Sequence, residues 1–397
     1  MPESGVLVFN GGSSSLKFTL FEMSDGALVK KCVTGQIERI TRGPHLQLYS
    51  PQRVLLAEHR WPEDASPSET EMLTVLIDLL DRHMHLPLLA AGHRIVHGGL
   101  FHGEPAFVDE SVLTHLEATV PLAPLHLPHN IAPIRALAQL YPQLPQIGCF
   151  DTGFHATIPR VARLFGLPRK LAGEGVVRYG FHGLSYAYIA SQLPYIDARA
   201  AAGRTLVAHL GNGASVCALV NGRSVATSMG FSALDGLIMG TRCGELDPGV
   251  LIYLLRERDY DAQTLEQLLY HESGLLGLSG GIGSDMRDLL ASDAAAAREA
   301  IDVFVYRLVR EIGSMVAAMQ GIDALVFTGG IGEHAAPIRE AVCSQLRWLG
   351  IELSTDANNQ NGQRMHSATS SVSIWCIPTD EELVIAKECQ RLLRHAQ

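Results

Sequence analysis

VLVFNGGSSSLKFTLFEMSDGALVKK, residues 6–31, and LVAHLGNGASVCALVNGRSVATS, residues 206–228, carry the same structural pattern twice. Each reads as an apolar strand, a tight turn of Gly with Ser or Asn, a second strand, a two-residue turn and a third strand. The two-residue turns are Asp25-Gly26 and Asn221-Gly222, dipeptides that tolerate the positive φ angles of a tight hairpin. The Gly/Ser turns before them offer backbone N–H groups and small hydroxyls at close approach, which suits phosphate. Two such turns facing a cleft would grip a polyphosphate from both sides.

Outward from the first cluster, strand-like pieces at 45–49 and 54–57 precede a helix opened by the capping box Ser68–Glu71. Met72, Val75, Leu76, Leu79 and Leu80 give that helix one apolar face. A strand runs into residues 93–99, the Pro-rich stretch 121–133 reads as a loop before a helix near 134–140, and a strand at 145–150 ends at Asp151. Outward from the second cluster, Asp247-Pro248 caps and starts a helix. A long helix at 294–319, a buried strand at 324–328, the glycine-rich turn 329–333 and a helix at 337–349 follow, then a last strand at 374–377 and a last helix at 381–395. Three antiparallel strands followed by alternating helix and strand, done twice, make an α/β chain with an internal duplication. The switch between the copies is expected at about residue 151.

Bulk properties narrow the function. The chain has 397 residues, 47% apolar and 18% charged, as expected of two or three globular domains. A formal net charge of -10 argues against a nucleic-acid or anionic-membrane surface. The seven cysteines are scattered without a C-x-x-C pair, which suggests reduced thiols in the cytoplasm. Neither a signal-peptide pattern nor an apolar run of membrane-spanning length is visible.

Several short motifs suit anion chemistry. Residues 10–17, Asn-Gly-Gly-Ser-Ser-Ser-Leu-Lys, hold more hydroxyls than a hairpin turn needs, and no P-loop pattern is present. Residues 328–334, Thr-Gly-Gly-Ile-Gly-Glu-His, lie between a strand and a helix and read as a nucleotide-contacting turn. Arg94 and Arg242 sit among glycines and small residues, a setting for bidentate carboxylate or phosphate binding or for a structural ion pair. Asp151 closes a strand, where α/β sites gather, and His182 stands between two glycines. His126 with His129, and His83 with His85, lack further ligands at zinc spacing. Glu381 and Glu382 open the last helix, where acids complement the helix dipole and an acid beside a nucleotide would also hold Mg²⁺.

Seven motifs in order resemble the acetate kinase family, within the actin, sugar kinase and Hsp70 superfamily. They lie at residues 10–17, 93–99 (His-Arg-Ile-Val-His-Gly-Gly), 150–155 (Phe-Asp-Thr-Gly-Phe-His), 178–183 (Arg-Tyr-Gly-Phe-His-Gly), 209–215 (His-Leu-Gly-Asn-Gly-Ala-Ser), 240–248 (Gly-Thr-Arg-Cys-Gly-Glu-Leu-Asp-Pro) and 328–333. The resemblance implies a duplicated βββαβαβα, actin-like and ribonuclease H-like fold of two domains with a central cleft. The domains would be 1–150 plus 385–397, and a nucleotide-binding domain 151–384. It implies reversible transfer of a phosphoryl group from ATP to acetate, giving acetyl phosphate and ADP, in a cytoplasmic homodimer. Mg²⁺ is the implied metal, with Mn²⁺ as the alternative.

Carried over by motif, Asn10 and Glu381 would lie at the metal, and Asp151, His182 and Arg242 would be catalytic. Arg94 would bind the carboxylate, with Val96, Leu125, Phe181 and Ala233 lining the acyl pocket. Lys17, Ser13, Ser15, His209, Leu210, Gly211, Asn212, Gly213, Asp285, Met286, Arg287, Gly330, Ile331, Gly332, Glu333 and His334 would contact the nucleotide. The chain departs from the family pattern in Gly11 and Gly153 where Ala is usual, and in Asp380 where Asn is usual. Leu184-Ser185-Tyr186 stands for the usual Thr-Ser-His, and Phe231-Ser232-Ala233 for Phe-Thr-Pro. A small Ala233 would admit a longer acid, so a propionate or butyrate kinase is the nearest alternative. An actin- or Hsp70-like ATPase without a metabolite substrate is the more distant one.

Overall fold

The computed structural model describes residues 3–12 and 15–395. They divide into two compact units: one takes in the chain up to Phe154 and again from Asp380, the other is His155–Thr379. The sequence reading places these crossings at 150 and 385 instead. The shift puts Asp151 and Glu381 in the first unit, because Asp151 pairs with Arg94 on a first-unit strand and the helix Glu381–His395 packs on that same strand.

The first unit holds β1 (Ser4–Gly11), β2 (Ser15–Ser24), β3 (Ala27–Glu38), β4 (His45–Tyr49), β5 (Leu55–Arg60), β6 (Leu88–Ile95), β7 (Ala106–Phe107) and β8 (Gln146–Phe150). They form one sheet in the order β5-β4-β3-β2-β1-β6-β8-β7. The second unit holds β9 (Arg204–Leu210), β10 (Ala214–Val220), β11 (Arg223–Thr227), β12 (Ala324–Thr328) and β13 (Ser373–Cys376), in the order β11-β10-β9-β12-β13. The sub-order β3-β2-β1-β6-β8 of the first sheet is therefore repeated in the second. In both, three antiparallel strands are joined through the first of them to two parallel strands. The duplication legible in the two opening segments is real.

The hairpins close as their dipeptides require. Asp25 and Gly26 have φ of 49° and 73°, and Asn221 and Gly222 have 52° and 71°, positive at both central positions. Val6, Leu7, Val8 and Phe9 of β1 are all buried, as befits a central strand covered on both faces. One face packs under the helices Glu69–Met84 and Leu127–Leu140, and the other takes the helix Glu381–His395. That last helix seats on Gly92, where an added Cβ would lie 2.5 Å from Ile385 Cγ2 and 2.7 Å from Cys389 Sγ. Gly92→Ala is expected to cost about 1–3 kcal/mol through overpacking. A urea midpoint equal to that of the parent protein would show that the helix is not seated there.

Two elements differ from expectation. The Pro-rich stretch is helical from Leu127 onward and continues through Pro133. Pro128 falls in the first turn, where no N–H is needed, and Pro133 leaves the carbonyl four residues earlier without its helical donor. That carbonyl, of His129, faces Gly11, where a Cβ would approach it to 2.8 Å. Residues 329–334 are a helical turn, not an open one, and Ala335 separates it from the helix Ala336–Gln345.

His93 of β6 is buried and stacks on Phe9 with ring centroids 5.3 Å apart. Burial pushes its imidazole down to about 4, slightly opposed by Gln146. Its pKa in the unfolded chain is ~6.5, so the unfolded state binds the extra proton as pH falls. Stability contributed by neutral His93 is therefore full above ~6.5 and declines toward pH 4, by about 3 kcal/mol at most. Urea titrations at pH 7 and 5 should show this loss, and His93→Phe should reduce it. An unchanged pH slope in that variant would contradict the assignment.

Candidate phosphoryl-transfer site

Three parallel strands of the first unit, β1, β6 and β8, end together, and their carboxyl ends carry Asn10, Arg94 and Asp151. Arg94 donates from Nε and Nη2 to Asp151 Oδ2 at 3.0 and 2.5 Å, and from Nη1 to Asn10 Oδ1 at 3.0 Å. Glu381, from the start of the last helix, places Oε2 3.7 Å from Arg94 Nε and 3.4 Å from Asn10 Nδ2. Burial works against the charge on Arg94, but Asp151 and Glu381 outweigh it and raise its pKa. A guanidinium has five N–H donors. Three are used here, leaving one N–H on each Nη, the spacing that matches a carboxylate.

Asn130 ties this corner together. Its Oδ1 accepts from Val96 N at 2.9 Å, and its Nδ2 donates to Gly11 O at 3.0 Å. The ends of β1 and β6 are thereby fixed by one buried amide. Val96 is buried beside it, and Leu125 sits half-buried in the turn before the helix Leu127–Leu140.

The corner is rich in oxygen. Asp151 is fully buried and its Oδ1 has no hydrogen-bond partner among the described residues. Burial pushes the Glu381 carboxyl up to about 7; Arg94 opposes that shift, and Asp151 and Glu382 reinforce it. An orphaned carboxylate oxygen, a second carboxyl reluctant to ionise and an amide are the hard donors a small divalent cation prefers. No cluster of three or more His, Cys, Asp or Glu side chains poised around a metal occurs among the described residues. Two carboxylates suffice for Mg²⁺, which is completed by water and substrate phosphates. The residues present fit the group.

Asn10 pairs with Lys17 across the β1–β2 ladder, and Gly12 N donates to Ser15 O at 2.8 Å. Lys17 is exposed on β2, and Ser15 opens that strand. Ser13 lies outside the described residues.

In the second unit His182 caps the helix Gly183–Ile196 with φ of 58°, a left-handed conformation that a residue other than glycine adopts at some cost. Its ring stacks on His209 of β9, with centroids 4.3 Å apart. A Cβ on Gly213 would lie 3.3 Å from His182 Nε2 and 3.6 Å from Arg242 Nη2, so the turn after β9 meets both side chains. Arg242 is anchored by Nη1 on the carbonyl of Ala233 at 2.8 Å. His155 Nε2 lies 2.9 Å from Phe181 O, which fixes the backbone next to His182. Arg178 is scaffolding: its Nη1 reaches the carbonyls of Thr227, Ser228 and Met229.

A cavity of about 510 Å³ opens beside this group, within the range of nucleotide pockets. Gly211, Asn212, Asp285, Met286, Arg287, Gly330, Ile331 and His334, all named from the sequence as candidate nucleotide contacts, line it. Ser284, Leu290 and Ala335 also line it and carried no motif signal. His209, Leu210, Gly213, Gly332 and Glu333 do not line it. Glu333 accepts from Gly329 N at 3.0 Å, and the Gly332 carbonyl accepts from Arg339 at 2.8 Å. Arg339 is itself fully buried and holds Asn358 through Nε at 2.8 Å, a bracing role invisible in the sequence. Asn212 braces the turn from the other side, its carbonyl accepting from Gly240 N at 3.0 Å. An Asp285 carboxylate gripped by the guanidinium and backbone N–H of Arg287 is held down to about 2.

Comparison with known proteins places the chain in a family. A model of the acetokinase family matches residues 5–387. The acetate kinase of Rhodopseudomonas palustris is 51% identical over 392 residues, covering 98% of both chains. That of Methylocella silvestris is 46% identical over 401 residues, again covering 98% of both. Among solved structures, a propionate kinase from Francisella tularensis superposes with a TM-score of 0.89 at 35% identity, covering 97% of this chain and 98% of that one. The Porphyromonas gingivalis acetate kinase gives 0.88 at 34% identity, covering 98% and 100%. The chain belongs to the acetokinase family.

Proposed function

We propose that this protein transfers the terminal phosphoryl group of ATP to acetate, reversibly, forming acetyl phosphate and ADP. The observation that carries the reading is Arg94, braced by Asp151 and Asn10 with one N–H left on each Nη for a carboxylate. A carboxylate is ionised at neutral pH, so no general base is needed. The difficulty is to bring two anions together and to offset charge on the moving group, which is a matter of positioning and electrostatics. Arg94 orients the acetate, while Arg242 and His182 Nε2 supply positive charge and an N–H to the phosphoryl oxygens. The cavity lined by Asn212, Asp285 and Ile331 takes the nucleoside.

Asn10, Asp151 and Glu381 would hold Mg²⁺, or Mn²⁺ in its place. Such an ion neutralises charge on the phosphates when bound. Asp151 serves as the partner of Arg94, and transfer is direct; a kinetically competent phosphoenzyme at Asp151 would overturn that. The reading is tested by ADP release with and without carboxylates. Acetate should raise turnover far above the ATP-only rate. An ATPase rate indifferent to every carboxylate would refute it.

Propionate is the second reading, favoured by the small Ala233. One methylene is worth about 1–3 kcal/mol, so the kcat/KM ratio for the two acids decides.

The oligomer is part of the proposal. The helix Pro248–Glu257 buries none of its residues, yet Val250, Ile252, Tyr253 and Leu255 on it and Leu246 beside it are large, apolar and exposed. Such a patch suits the interface of a homodimer. Light scattering should give a dimer that Ile252→Asp with Tyr253→Asp converts to monomer; a parent monomer would contradict it. None of the seven cysteines is disulfide-bonded, which supports a cytoplasmic setting. No described helix is long and apolar enough to cross a membrane.

A further inference from the structure

Tyr186 stands where the family pattern leads one to expect His, and the structure shows what it touches. Its Oη lies 2.5 Å from Ser215 Oγ, and Ser215 Oγ lies 2.8 Å from His182 Nδ1. Tyr186 and Ser215 are both fully buried, so the chain of contacts is shielded from water. The phenol also meets the ring edges of His155 and His209, with centroids 5.7 and 6.5 Å apart. Beside it, His209 Nδ1 is 2.9 Å from Ser185 Oγ.

The direction of this relay follows from the groups. A phenol is a strong donor and a poor acceptor, because its oxygen lone pair is delocalised into the ring. An aliphatic hydroxyl accepts and donates equally well. Burial, with Cys217 adding to it, drives the phenol pKa well above its ordinary value, so Tyr186 keeps its proton. With Ser215 accepting from Tyr186, its own hydrogen is free to point at His182 Nδ1, 2.8 Å away. An imidazole that accepts at Nδ1 carries its proton on Nε2. Nε2 is the nitrogen beside Gly213 and near Arg242.

We propose that Tyr186, acting through Ser215, is a positioning residue that holds His182 as the Nε2–H tautomer, so that this N–H points at the transferring phosphoryl group. The placing of the phosphoryl group rests on the proposed function, whereas the tautomer does not. Long-range ¹H–¹⁵N spectra of the full-length enzyme labelled in histidine read the tautomer directly. The His182 signal is assigned by its loss in His182→Gln. The parent should show a protonated Nε2 and an accepting Nδ1.

Tyr186→Phe should blur that pattern and lower kcat by about 10–100-fold, the usual cost of removing an outer hydrogen-bond partner. KM for ATP and for acetate should move by less than about threefold. Tyr186→His, which keeps a donor within reach of Ser215, should retain more turnover than Tyr186→Phe. Ser215→Ala should reproduce the Tyr186→Phe spectrum. A proton on Nδ1 of His182 in the parent enzyme overturns the proposal even if every variant fails to fold. So does full kcat in Tyr186→Phe. A protein that phosphorylates no carboxylate would sink the proposed function while leaving the spectrum of the parent to stand or fall by itself.

Discussion

Arg242→Ala is expected to lose about 10³–10⁵-fold in kcat, the usual worth of an arginine that meets a transferring phosphoryl group. KM for ATP should change little, because Arg242 does not line the nucleotide cavity. The guanidinium is held by the Ala233 carbonyl and lies beside Gly213 next to His182 Nε2, so its charge is fixed before substrate arrives. The same bond makes a lesser effect visible. Without it the backbone at Ala233 is released, and preference among short acids should weaken together with turnover. Arg242→Lys should recover little, since a point charge cannot both hold the carbonyl and present a planar fork. Steady-state kinetics with acetate and propionate read all three effects, and turnover within tenfold of the parent would exclude this role for Arg242.

Arg94→Ala should have the second largest effect, divided between binding and stability. The carboxylate loses the two N–H groups that orient it, so KM for acetate rises steeply while KM for ATP holds. Asp151 loses its cationic hydrogen-bond partner in a fully buried position where its other oxygen has no partner among the described residues. Removing one member of such a pair typically costs about 3–5 kcal/mol. A urea midpoint equal to that of the parent protein would show that Asp151 does not depend on Arg94.

Much of this site was legible in the sequence because its signals are local. Asp25-Gly26 and Asn221-Gly222 demand positive φ, and that demand revealed the duplicated hairpins before any fold was known. Arg94, Asn10 and Asp151 close three strands, and parallel strands that neighbour one another bring their ends together without further instruction. What stayed hidden depends on contacts between distant segments. Pro133 looked like a loop residue, but the helix runs through it, and the carbonyl that it frees lies against Gly11. Asn130 and Arg339 look like ordinary polar residues of helices until the fold buries them. Glu333 and Gly332 sit in a glycine-rich motif that suggested ligand contact, yet their hydrogen bonds brace the turn itself. Tyr186 read as a departure from a pattern, and only the placement of Ser215 between it and His182 gave that departure a chemical meaning.

Trapping the acyl phosphate shows whether a short carboxylate is phosphorylated. The protein is incubated with ATP, Mg²⁺ and hydroxylamine, and with acetate, propionate or butyrate in turn, and the acyl hydroxamate is quantified. Hydroxamate is expected in the presence of acetate, less with longer acids, and almost none when Arg94 is replaced by Ala. ATP consumed at the same rate with no hydroxamate from any acid would contradict it.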